Sequence, residues 1–277
     1  MAKRRIIFLT LSLLVCTEST YAQSARSELT RSELTRSERT GSEQTSATTL
    51  EEIQRAAVKG DPHAQTELGY RYASGNGLPI NTMKAAIWYR KAAEQGYKVA
   101  QTNLGYAYAS GSGVRLNLEE AAKWFRKAAD QGYDSAQANL GAFYLQGMGV
   151  PQDFKIAFDF LQKAAAQNNA TAQFNIGLMY DRGFGVKQDY VLARQWYLKS
   201  AIQNYPDAQA NLGALWAEGK GGPRNLVESY FWSMLAMYRN IDSAVDLLPL
   251  LAQQMTPEQI EQAKTKVRQW KPLAPPK

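Results

Sequence analysis

The chain has 277 residues, a formal net charge of +7 from 32 Lys and Arg against 25 Asp and Glu, one cysteine and one histidine. A single thiol excludes a disulfide framework, and a single imidazole excludes a His-Glu-x-x-His zinc site. The charge excess is mild, and no nucleic-acid motif stands behind it.

From the N-terminus, Lys3-Arg4-Arg5 precedes an apolar run, Ile6 to Val15. That run is far shorter than the ~20 residues a membrane span needs. Thr20-Tyr21-Ala22 then resembles a small-x-Ala cleavage site. Residues 1–22 are therefore expected to be a Sec signal peptide cut after Ala22, leaving a periplasmic or secreted protein with no transmembrane segment. A membrane anchor is the competing reading. Leu13-Leu14-Val15-Cys16 hints at a lipoprotein box, against which bulky Val15 argues. Cleavage removes Cys16 together with Lys3, Arg4, Arg5 and Glu18, lowering the charge from +7 to +5.

Residues 23–47 differ in kind. Arg26-Ser27-Glu28-Leu29-Thr30 is repeated at Arg31 to Thr35 and again, degraded, at Arg36 to Thr40. A five-residue period suits neither helix nor strand, so a disordered linker is expected, serving as a spacer, a tether or a binding arm. Residues 48–60 follow as a capping helix. Thr49 and Glu52 form its capping box, and Ala56, Ala57 and Gly60 lie 36 residues before Ala92, Ala93 and Gly96.

Residues 61–240 hold five units of 36 residues, marked by Gly69, Gly105, Gly141, Gly177 and Gly213. An Ala-Gln pair precedes each glycine, as at Ala100-Gln101. Such a period means a stacked array whose units contact mainly their neighbours. In the second unit Ala100, Leu104 and Tyr108 share one helical face, beside which Gly105 lets a partner helix approach. A Gly-x-Gly loop follows, as at Gly111-Ser112-Gly113, and becomes Gly219-Lys220-Gly221-Gly222-Pro223 in the fifth unit. Second helices start at Asn81, Asn117, Asp153, Asp189 and Asn225. Trp124 and Phe125, with their equivalents Trp88 and Tyr89, Phe160 and Leu161, Trp196 and Tyr197, and Trp232, fall at core spacing rather than forming a ligand box. Residues 241–277 are expected to cap the array. Pro249 breaks or kinks the first part, and Thr256-Pro257-Glu258-Gln259 opens a helix whose Ile260, Ala263, Val267 and Trp270 cover the last unit.

The second unit resembles the Sel1-like repeat, a relative of the tetratricopeptide repeat. The residues that carry the resemblance are Ala100, Gln101, Leu104, Gly105, Tyr108, Gly111, Gly113, Val114, Asn117, Ala121, Trp124, Lys127, Ala128 and Ala129. It covers about residues 48–277 and implies an all-α, right-handed superhelical solenoid of five helix-turn-helix repeats with helical caps. The chain is similar to the cysteine-free exported members rather than those with a disulfide in each repeat. The family implies an adaptor for a protein or peptide partner, with relatives in envelope assembly, signalling or host interaction.

Arrays of this kind place the first helices on the concave side. Asn103, Asn139, Asn175 and Asn211 recur there, with Glu67 breaking the row. An amide row suits the backbone of an extended peptide, or else bonds between neighbouring helices as part of the repeat. Positions that differ between units complete the candidate groove: Tyr70, Tyr106, Phe174, Leu178 and Arg182. Lys91, Lys127, Lys163 and Lys199 form a basic row, read either as a solvated face or as a site for acidic envelope polymers. His63 reads as a surface residue. No catalytic, cofactor-binding or metal residue is expected. A module bound to peptidoglycan or its enzymes is the alternative partner reading, and a hydrolase is the second.

Overall fold

The computed structural model describes residues 49–272. The expected leader (1–22, with Cys16) and linker (23–47) lie outside the described residues. Thirteen helices and no strand are present among them. The first, α1 (Leu50–Val58), carries the Thr49–Glu52 capping box. Five pairs follow: α2 (Pro62–Ser74) with α3 (Thr82–Glu94), α4 (Lys98–Ser110) with α5 (Leu118–Ala129), α6 (Asp134–Gln146) with α7 (Phe154–Ala166), α8 (Ala170–Arg182) with α9 (Tyr190–Ala201), and α10 (Pro206–Glu218) with α11 (Leu226–Met237). Two more close the chain, α12 (Asp242–Ala252) and α13 (Pro257–Gln269). Helices pack mainly on their sequence neighbours, which makes the architecture an all-α solenoid.

Within a unit, the recurring glycine sets how close the two helices come. A Cβ on Gly105 would lie 2.7 Å from the Phe125 ring, well inside van der Waals contact. Tyr89, Leu161 and Tyr197 stand in the same relation to Gly69, Gly141 and Gly177. Phe125 is fully buried and meets Tyr106 and Phe143 edge-on, each at 5.3 Å between ring centres. Such a ring contributes its apolar area and about 0.5–1.5 kcal/mol per edge-on pair. Second helices start where the side chains of Asn81, Asn117, Asp153, Asp189 and Asn225 accept backbone N–H bonds.

Between units, the second loop glycine is the joint. A Cβ on Gly113 would lie 2.0 Å from the Thr82 carbonyl oxygen, at the start of the preceding unit's second helix. Gly149 and Gly221 meet the Leu118 and Tyr190 carbonyls in the same way. The Ala-Gln pair explains itself at the other inter-helix turn. Gln101 Nε2 donates to the Ala93 carbonyl at 3.2 Å, and Gln101 Oε1 accepts from Gln131 at 2.8 Å. Gln65, Gln137 and Gln209 donate to the equivalent carbonyls. Gln173 departs, donating to Asn168 Oδ1 instead. The turn itself needs positive φ, met by Gly60, Gly96 and Gly132 early in the array and by Asn168, Asn204 and Asn240 later. Asparagine is among the few non-glycine residues that tolerate that region.

The C-terminal segment divides in two. The turn at Asn240 starts α12 in register with the first helices, so that Ala244 and Leu248 are buried like Ala208 and Leu212. Pro249 sits inside α12 without breaking it, since the helix runs on to Ala252. Helix α13 leaves the register and lies on α11. Its Ala263 is fully buried, and Trp270 packs edge-on against Phe231 and Trp232, 5.6 and 5.3 Å between ring centres.

Because the Phe125 ring is held from three sides, Gly105→Ala is expected to cost about 1–3 kcal/mol in equilibrium urea unfolding, the usual cost of overpacking.

Candidate functional site

The first helices α2, α4, α6, α8 and α10 supply the residues that the sequence singled out, and the structure separates them. Asn103, Asn139 and Asn175 are buried, with 8%, 5% and 4% of their surface exposed. Asn139 Nδ2 donates to Tyr106 Oη at 2.6 Å and to the Ser135 carbonyl at 2.7 Å. Asn175 Nδ2 donates to the Thr171 carbonyl at 3.0 Å, one turn back. The Asn103 amide nitrogen is buried without a hydrogen-bond partner among the described residues. Asn211 is half-buried. Tyr106 itself is buried against Phe125. The Asn139 amide thus joins neighbouring units, whereas that of Asn175 is satisfied within its own helix.

The remaining candidates reach solvent. Tyr70, Phe174 and Leu178 are half-buried and Arg182 is exposed. Phe174 lies 5.2 Å from Tyr205 and 5.8 Å from Tyr197 between ring centres. Leu178 packs against the apolar clusters that join its unit to the one before and the one after. Arg182 Nε lies 3.5 Å from Asp181 Oδ2. Asp181 also accepts from the Tyr197 hydroxyl at 3.3 Å. Burial raises the Asp181 carboxyl above its usual range, while Arg182, Lys220 and the Tyr197 hydroxyl pull the other way. Burial raises the Tyr197 hydroxyl as well.

Two features escaped the sequence reading. Arg194 is 9% exposed, lies 3.0 Å above the centre of the Trp216 ring, and has a buried Nη2 with no partner among the described residues. Gly222 makes room for it: a Cβ there would sit 2.4 Å from Arg194 Nη1. The altered fifth loop was the one sequence signal. The second feature is a cleft of about 550 Å³ lined by Arg90, Tyr108, Val114, Arg115, Leu116, Asn117 and Glu120. Arg90 donates to Tyr108 Oη within it, at 2.5 Å.

The basic row has partners within its own helices. Lys91, Lys127, Lys163 and Lys199 lie over Trp88, Trp124, Phe160 and Trp196, at 4.3, 4.0, 5.3 and 4.1 Å from the ring centres. Such pairs contribute about 0.5–1 kcal/mol each at exposed sites. His63 is exposed, with its ring 6.3 Å from that of Tyr97. Among the described residues no three His, Cys, Asp or Glu side chains are grouped to hold a metal ion. No described helix is long and apolar enough to cross a membrane.

Comparison with known proteins follows the same units. Sel1 repeats match residues 62–97, 98–133, 134–169, 170–205 and 206–233. A protective antigen present in uropathogenic Escherichia coli strains, displaying an SLR fold, is 32% identical over 91% of this chain, with a TM-score of 0.66. The chain spans 56% of that protein. A Sel1 repeat protein from Oxalobacter formigenes is 32% identical, with a TM-score of 0.68 over 80% of this chain and 92% of its own. No curated protein sequence matches the chain.

Two substitutions test these placements. Asn139→Ala strips Tyr106 and the Ser135 carbonyl of a buried partner, and is expected to cost about 1–3 kcal/mol in urea unfolding. Asp181→Asn probes the raised carboxyl. A folded-state pKa above the unfolded one means the ionised form costs stability, a cost that appears as pH rises through the carboxylate range. Asp181→Asn is therefore expected to raise Tm at pH 7, with the difference from the parent vanishing on acidification below the unfolded pKa.

Proposed function

The chain belongs to the Sel1 repeat family, and from that premise we propose that it is an exported, non-catalytic scaffold holding a protein or peptide partner. Sel1 repeat proteins are generally protein–protein interaction scaffolds. The observation that carries the reading is a division of labour within the repeat. Recurring residues (glycine, Gln, N-cap, core aromatic) are consumed in joining helices and units; the exposed lysine row also recurs, each over a ring of its own helix, whereas other exposed positions change from one unit to the next. One such position reads Ile87, Lys123, Asp159, Gln195. A rigid surface whose side chains vary along its length suits recognition, because little ordering cost is left to the scaffold.

On the first-helix side, the partner is proposed to meet Tyr70, Phe174, Leu178, Arg182 and Asn211, the candidates that keep solvent exposure. Export rests on the basic, apolar and small-x-Ala succession in residues 1–22. The Escherichia coli relative, a protective antigen, is in keeping with that reading. Within the envelope or beyond it, the scaffold would serve assembly, signalling or host contact.

The test is photo-crosslinking in the source cell, with benzoyl-phenylalanine placed at Leu178 or Lys123 of the full-length chain. The expected result is a mature N-terminus at Gln23 and one crosslinked partner from position 178. Arg182→Glu should lower the yield about tenfold, as loss of an interface arginine does. A retained Met1 would overturn export. The absence of a partner from both positions would overturn the scaffold.

A further inference from the structure

The outer face of α3 is apolar and uncovered, and the fold contains its own example of how such a face is closed. Ile80, Met83 and Ile87 are 66%, 65% and 54% exposed. At the position of Ile87, later units place the exposed polar residues Lys123, Asp159 and Gln195, and then Phe231. Phe231 is only 4% exposed, because α13 lies across α11 and sets Trp270 against it. At the position of Ile80, Gln152 and Gln188 donate to the Leu145 and Asp181 carbonyls, and Arg224 donates to Ala217. Ile80 and Leu116 carry no donor there, and both remain exposed. Gly113 abuts the Thr82 carbonyl, so the loop that leads to Leu116 runs against the first turn of α3.

The charges say what kind of helix fits. On α11, Glu228 pairs with Lys266 of α13, and Lys266 lies over the Phe231 ring. The residue of α3 in register with Glu228 is Lys84. A helix seated on α3 as α13 is seated on α11 would therefore meet a lysine, not a glutamate. Arg90, Lys91 and Arg115 add positive charge; Glu94 at the far end of α3 opposes them, as do Glu119 and Glu120 of the next unit, and Glu120 is paired with Lys123. The α13 helix of a second copy is disfavoured, since its Lys266 would face Lys84.

We propose that the outer face of α3 docks an amphipathic helix of a partner protein. Its apolar stripe covers Ile80, Met83 and Ile87, and an acidic residue pairs with Lys84. The mode is helix on apolar face with charge setting the choice of partner. The proposal rests on the scaffold reading and adds a second surface, opposite in kind to the first-helix side.

A charge swap tests it. Fluorescent peptides spanning Thr256 to Trp270, unaltered or carrying Lys266→Glu, are titrated with the full chain and followed by anisotropy. The Lys266→Glu peptide is expected to bind at least about tenfold tighter than the unaltered one, the scale of a close charge pair. The preference should invert on a Lys84→Glu chain and disappear on a Met83→Ser, Ile87→Ser chain. Both variants alter exposed side chains, and matching helical circular dichroism confirms their fold. Affinity indifferent to Lys84, affinity kept by the Met83→Ser, Ile87→Ser chain, or no binding of either peptide overturns the proposal. If the peptides fail while crosslinking from Leu178 still yields a partner, the outer site falls and the scaffold reading stands.

Discussion

The approach of glycine to ring within each unit is the contact on which the rest of the array depends. Gly105 brings the α4 backbone onto Phe125, and the fully buried ring then holds Tyr106 and Phe143 of the two neighbouring first helices. One missing side chain thereby fixes the spacing within a unit and the contact between units. Interiors packed at crystalline density leave little slack in such a contact. The loop glycines extend the same logic to the backbone, since Gly113 lies where any Cβ would enter the Thr82 carbonyl.

Once those distances are set, the polar groups have few places to go. The Gln row bridges one turn to the next with its carboxamides, and the buried Asn139 and Asn175 side chains bond back along their helices or across to Tyr106. Each made bond adds modestly to stability, but each broken one would leave a desolvated group, so the rows enforce register more than they add energy. The lysine row follows from the same economy, each ammonium settling over the ring one turn before it. What is left to vary is the solvent face, and that is where function can differ between relatives with the same fold.

The two ends of the array show how a solenoid closes. At the start, α1 supplies a lone helix whose Ile53 and Ala57 are buried against Ala64 and Leu68. At the end, α12 repeats the first-helix register, and α13 then turns aside to seal the outer face of α11 rather than pairing as a second helix. The apolar Phe231 and the Glu228–Lys266 pair mark that seal. No such seal covers α3, α5, α7 or α9, and α3 alone of these four sets an exposed isoleucine, Ile87, at the Phe231 position.

Repeat length, helix starts, capping boxes and the core aromatics were legible in the sequence, because each is a local pattern with a local cause. An Asn before a second helix, or Thr49 three residues ahead of Glu52, states its bond without reference to the fold. The candidate site was legible only in part. Asn139 and Arg182 look equally available in one dimension, yet one is spent on Tyr106 and the other is open, because the superposition of neighbouring units decides which face of a first helix is covered. Arg194 over Trp216, and α13 on α11, join residues on different helices, and no period announces such contacts. The sequence by itself determined that the chain stacks, since periodicity is a property of the chain. The tertiary structure alone decided which side chains remain for a partner, since exposure is a property of the stack.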